Sequence, residues 1–226
     1  IFPAVGVRDL CCRNPAPDGP ELAKKFNEYG DVVLCYDDKN YWRRDSFPFY
    51  KRNRKQEREA SKYNWDEVFT VLNKIRDEIR ENLPYHVIQV QGAEADDVIA
   101  SICIHNSRRE NPEKTLILSA DKDFIQLHKF DFVKQYDPIR NRWIENDNPI
   151  QYLQEHIIRG DRSDGIPNIL TCDDAIVTGK PVSWDINLSI FLSNAPPPVK
   201  TKPISIKSAD NSGGVFSKAS LMPPKI

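Results

Sequence analysis

Seven carboxylates stand at four points of this 226-residue chain, each where an apolar run or a helix gives way to a turn. They are Asp37 after DVVLCY, Glu94 and Asp96 in AEADD, Asp121 and Asp123 in ILSADKDF, and Asp161 and Asp164 in GDRSDGIPN. Brought to one edge of a sheet, they repel one another and raise one another's pKa. A hard divalent cation relieves that repulsion, and Mg²⁺ takes oxygen ligands. The pattern predicts metal-assisted chemistry on phosphates.

Taken singly, each carboxylate has a plain structural reading. Asp37 alone is a turn or cap residue, with Asp38 expected to be the more solvated of the two. Acids in a first helical turn, such as Glu94, Asp96 and Asp97, complement the helix dipole. Asp121 and Asp123 form the strongest ion seat, because residues two apart in extended chain face the same side. Asp161 and Asp164 suit an ordinary Gly/Asp turn. They also suit two ligands of one ion, with backbone groups near Gly165 left free for a phosphate.

Positive charge gathers elsewhere. Between Lys39 and Lys62 there are nine Lys and Arg against three Asp and Glu, although the whole chain carries a net charge of −1. Aromatics interleave there: Tyr41, Trp42, Phe47, Phe49 and Tyr50. Bases stack on such rings while Arg43, Arg44, Lys51, Arg52 and Arg54 hold phosphates. Without nucleic acid this segment is expected to repel itself and be mobile.

Other chemistries find little support. His86, His105, His128 and His156 show no metal-ligand spacing and read as structural or surface residues. There is no Gly-rich phosphate loop and no Ser-His-Asp or Cys-His arrangement. Five cysteines lack zinc-type spacing. Cys35 and Cys103 sit in apolar runs as small hydrophobes, which fits a reducing, cytoplasmic setting. Apolar runs are too short to span a membrane, and no leader pattern opens the chain.

The elements that must position the acids are legible between the ends. Asp31–Tyr36, 86–90, 115–119 and 132–136 read as strands. Trp65, Val68, Phe69, Leu72, Ile75 and Ile79 mark one face of a helix that stops at Asn82-Leu83-Pro84. A second helix runs from Glu94 to about His105, and a third ends before Gly160. The expected fold is α/β, with a mostly parallel central sheet and helices on both faces. Ligands then gather at the carboxyl ends of the strands. Residues 1–20 and 181–226 are Pro-rich, with four and seven prolines, and suit weakly ordered ends.

In their order, VVLCYDDKNYWRRD, FYKRNR, EADDVIAS, ILSADKDFIQLHK, VKQYDP and GDRSDGIPN resemble the 5′ nuclease, or flap endonuclease, family, nearest its bacteriophage ribonuclease H branch. The resemblance covers about residues 24–170. It implies a catalytic core over 24–180, with atypical segments at 1–23 and 181–226. Two Mg²⁺ ions are implied, with Mn²⁺ as a substitute. Asp37, Asp96, Asp121 and Asp123 would surround the first, with Glu94 orienting water, and Asp161 and Asp164 the second. Arg43, Tyr50 and Lys51 would lie in a mobile arch over about 39–62, near the scissile phosphate. Residues 155–172 would begin a helix–turn–helix element holding duplex backbone, Gly165 included. Implied substrates are 5′ ends of RNA–DNA hybrids, nicked duplexes and flaps. A monomer working with a single-stranded-DNA-binding protein or a sliding clamp is implied, with no membrane.

Two departures stand out. The family's first strand ends in a metal-binding Asp, and residues 1–20 show no such strand; Asp9 lies too close to Asp37 to replace it. Beyond about Lys180 the chain does not resemble the family's helical half. Two alternatives follow: an incomplete member that binds branched DNA with little or no catalysis, and a PIN-like ribonuclease.

Overall fold

The computed structural model describes residues 4–7 as backbone, and residues 24–184 and 186–188 with their side chains. The chain divides into units 1–186 and 187–226. Both Pro-rich ends fall almost wholly outside the described residues, so the expectations made for them do too.

Six strands form one sheet: β1 (Ala4–Val7), β2 (Asp31–Tyr36), β3 (His86–Gln89), β4 (Thr115–Leu118), β5 (Val133–Asp137) and β6 (Arg142–Ile144). Their order is β3-β2-β1-β4-β5-β6. β2 pairs in parallel with β3, and β4 with β5. β1 is antiparallel to both β2 and β4, so those two run the same way. β6 is antiparallel to β5. Four strands therefore share one direction, and their carboxyl ends meet at one edge.

β1 corrects the sequence reading. A strand does occupy the centre of the sheet, where none was expected. It runs against its neighbours, however. Val7 pairs with Asp31 at the start of β2, while Ala4 pairs with Leu34 and Leu118. The carboxyl end of β1 thus points away from the edge where Asp37 lies. Asp9 is outside the described residues.

Alternation builds the core. Val33, Cys35 and Ile117 face one way. They pack with Ile99 and Cys103 of a helix at Ala95–Asn106, and with Phe124 and Leu127 of a 3-10 helix at Lys122–Lys129. Leu116 and Tyr136 turn to Phe26 and Tyr29 instead. In chain order the helices are α1 (Arg43–Ser46), α2 (Arg52–Glu59), α3 (Trp65–Asn82), α4 (Ala95–Asn106), α5 (Pro149–Arg159) and α6 (Ala175–Thr178). Asn64 caps α3 by accepting from the Glu67 N–H. α3 has the expected limits, yet none of its residues is buried: Phe69 is 45% and Ile75 43% exposed.

Candidate active site

Three turns at the carboxyl edge set the acids in place. After β2, Asp37 Oδ1 accepts from the Ala95 N–H at 2.7 Å and so holds the start of α4. Asp37 is exposed, whereas Asp38 is half-buried and accepts from the Gly92 N–H. That reverses the expected solvation, because Asp38 closes the neighbouring loop. Asp96 lies in the first turn of α4. After β4 the chain is still extended at Asp121, but Asp123 already lies in the 3-10 helix rather than in extended chain. Asp121 caps the 3-10 helix by accepting from the Asp123 N–H at 3.0 Å. Gln135 fixes that turn by donating to the Ser119 and Asp121 carbonyls.

The expected repulsion is seen at Asp96. Burial, then the negative charges of Asp121, Asp37 and Asp123, push Asp96 up to about 7, with Lys51 opposing. Four carboxylates therefore share one electrostatic space, short of positive charge. A divalent cation fits such an all-oxygen set.

A second group lies beside the first. Among the described residues, Asp123, His156 and Asp161 bring ligand atoms within 4.8 Å of one another. His156 Nε2 lies 3.3 Å from Asp123 and 3.5 Å from Asp161. These contacts hold the imidazole up at about 10, Asp123 contributing most, and His156 in turn holds Asp161 well below the usual carboxylate range. The sequence reading missed His156. Its one signal was position, in the last turn of α5 and five residues before Asp161.

Glu94 and Asp164 are engaged by the basic segment, and the Asp164 N–H also donates to Asp161 Oδ1 at 3.2 Å. Glu94 is 1% exposed. Its Oε1 accepts from Lys51 Nζ at 2.7 Å, and its Oε2 from Arg43 at 2.9 Å and Tyr50 at 3.0 Å. Asp164 accepts from Arg54 at 2.6 Å and lies 2.8 Å from the Tyr50 hydroxyl. That hydroxyl has one proton for two carboxylates. Burial pushes Asp164 up against the pull of Lys51. Arg43 also forks onto Asp97 with two 2.7 Å bonds.

The basic segment is thus anchored rather than self-repelling at these points. Arg43, Lys51 and Arg54 are paired with acids, and Tyr50 is only 6% exposed, with no open ring face. Trp42 donates to Asp97 and remains 40% exposed. Arg44 lies over Tyr41, and Arg52 is exposed. Gly165, at φ +72°, is buried against the same segment, where an added Cβ would lie 3.0 Å from Asn53 and 3.3 Å from the Phe49 carbonyl. The Lys51 N–H donates to the Asp164 carbonyl at 2.7 Å. The turn therefore grips the basic segment, with Gly165 at the contact. α5, this turn and α6 follow in sequence as helix, turn and short helix.

The sequence pattern of the 5′-3′ exonuclease N-terminal resolvase-like domain matches residues 21–156. The chain belongs to the 5′-3′ exonuclease family. This family member is 35% identical to ribonuclease H of Enterobacteria phage T4 over 150 residues, 65% of this chain and 48% of that protein. It is 27% identical to the exonuclease of Escherichia phage T7 over 209 residues, 88% of this chain and 58% of that protein. Its fold is similar to that of the T5 D15 protein co-crystallised with metal ions, with a TM-score of 0.56, 20% identity, and coverage of 80% of this chain and 71% of that one. The exonuclease-family chain spans about half the length of the curated relatives it matches.

Proposed function

We propose that this chain is a divalent-metal-dependent 5′ nuclease that hydrolyses phosphodiester bonds near 5′ ends. The observation that carries this reading is Asp96 among Asp37, Asp121 and Asp123, with Lys51 near enough to act on it. Asp37, Asp96, Asp121 and Asp123 would hold one ion, and Asp161 with Asp123 a second. Mg²⁺ suits the oxygen-only set, and Mn²⁺ would substitute. When bound, the ions supply an activated water and charge stabilisation at the attacking and leaving oxygens.

The chain's own residues do the rest. Glu94 and Asp97 hold Arg43 in one orientation, and Glu94 holds Lys51. Both cations then stand ready to bind the scissile phosphate. Tyr50 and Asp164 tie that cluster to the turn after α5. Trp42, Tyr41, Arg44, Arg52 and Arg54 would line the path of the strand, and α5 with its turn would hold duplex backbone.

The substrates would be RNA–DNA hybrids, nicked duplexes and 5′ flaps, as in primer removal during phage replication in host cytoplasm. The chain would act as a monomer beside a single-stranded-DNA-binding protein or sliding clamp. Incubation with an end-labelled 5′-flap duplex, with Mg²⁺ or with EDTA, tests the reading: Mg²⁺-dependent release of short 5′ products is expected. Binding without cleavage would favour the incomplete-member alternative, which the reversed direction of β1 supports. Nothing in the site or the family match favours the PIN-like reading.

A further inference from the structure

Among the described residues, His156 brings an imidazole nitrogen to the acidic edge, and neither its sequence spacing nor the oxygen-only scheme accounts for it. Three separate pieces of chain converge there: Asp123 from the 3-10 helix, His156 from the last turn of α5, and Asp161 from the turn beyond. Nε2 faces both carboxylates, at 3.3 and 3.5 Å. A charge-assisted N–H···O contact closes to about 2.7–2.9 Å. Ligand atoms sharing one first-row ion, with bonds of about 2.1 Å, stand roughly 3.0–3.4 Å apart in octahedral or tetrahedral geometry. The spacing to Asp123 falls in that range and the spacing to Asp161 just above it, so both contacts are open enough to admit a common ion between their atoms. The ring is also fixed from behind, stacked on Tyr152 one turn earlier at 5.9 Å and 13°.

We propose that His156 is a nitrogen ligand to an ion shared with Asp123 and Asp161, and that it makes this seat select a first-row transition ion over Mg²⁺. Imidazole suits Zn²⁺, Fe²⁺ and Ni²⁺, and Mn²⁺, though it favours oxygen, gives up water for nitrogen more readily than Mg²⁺, which holds to oxygen and to its own waters. The seat beside it, built from Asp37, Asp96 and Asp121, carries no nitrogen and keeps the preference for hard ions. This inference rests on reading the acidic edge as a metal site, and it does not depend on the reaction.

The test is metal binding by the whole chain without nucleic acid. Mn²⁺ is bound to protein carrying ¹⁴N- or ¹⁵N-histidine, and pulsed electron paramagnetic resonance reads the nitrogen coupling. The expected result is a histidine coupling that follows the isotope and vanishes in His156→Gln. In the same variant the ratio of Mn²⁺ to Mg²⁺ affinity should fall by about tenfold or more, as expected for a lost ligand. Mn²⁺ bound without histidine coupling, a coupling that survives in His156→Gln, or an unchanged affinity ratio would each overturn the proposal. Nitrogen coupling in a chain that cuts no DNA would leave it standing and remove only the nuclease reading. Cleavage without the coupling would do the reverse.

Discussion

Lys51 Nζ stands 2.7 Å from Glu94 Oε1, so a cation of the basic segment is neutralised by a carboxylate at the start of α4. Glu94 is shut from solvent, and the Lys51 side chain is only 12% exposed. Removing one partner of such a pair strands the other. Glu94→Gln should therefore cost about 3 kcal/mol of stability. Urea unfolding of the variant against the parent measures it, and an unchanged midpoint would show that the pair is solvated.

Asp121→Asn removes one of the charges that act on Asp96 and keeps the size of the side chain. Cleavage of a labelled 5′-flap substrate should be abolished while duplex binding in a gel-shift assay is kept. Normal Mg²⁺-dependent turnover in this variant would sink the assignment of the acidic edge.

In metal-free protein, Asp96 makes stability depend on pH with a definite sign. Its folded pKa is raised to about 7 by burial and by Asp121, Asp37 and Asp123. The folded state then holds the proton more tightly than the unfolded state, and stability declines as pH rises from about 4 to about 7. Thermal melts in EDTA should show that decline, and Asp96→Asn should flatten it. A profile as steep in Asp96→Asn as in the parent would place the titration elsewhere.

Gly165→Ala tests the grip of the turn on the basic segment. Gly165 has φ +72°, and a Cβ would press on Asn53 and the Phe49 carbonyl. The left-handed conformation alone costs an L-residue about 1–2 kcal/mol. Unfolding should show at least that loss, with weaker nucleic-acid binding because Lys51 and Asp164 share the contact.

Cysteine chemistry separates the core from the surface. Burial pushes the thiols of Cys35 and Cys103 up to about 12, while Cys172 is exposed. Brief alkylation of the native protein followed by peptide mass mapping should label Cys172 and spare the other two. Equal labelling of all three would mean that the sheet opens readily.

Periodicity carried much of the fold. β2 has the limits expected from DVVLCY, and α3 ends at Asn82 as its Leu83-Pro84 stop implies. β6 (RWI) is three residues long, too short to show a period. β1 was hidden by a Pro-rich stretch, and strand direction leaves no local trace in any sequence. The gathering of acids was legible in which residues meet rather than in how each pairs. Asp121, Asp37 and Asp123 act on Asp96 from the strand ends and helix start where the sequence put them. The ion pairs of Glu94 and Asp164 were not legible, because cations distant in sequence, Arg43, Lys51 and Arg54, reach them only in the fold. His156 escaped notice because its partners lie on another helix and beyond its own helix end.

The reversed β1 also separates scaffold from chemistry. Both β2 and β4 have their ladder partners satisfied by a strand that sends its carboxyl end to the far edge. The middle of this sheet therefore supplies backbone pairing to its neighbours without sending a strand end to the acidic edge. A central strand running the other way and tipped with a carboxylate would instead bring a further oxygen donor to the acidic edge.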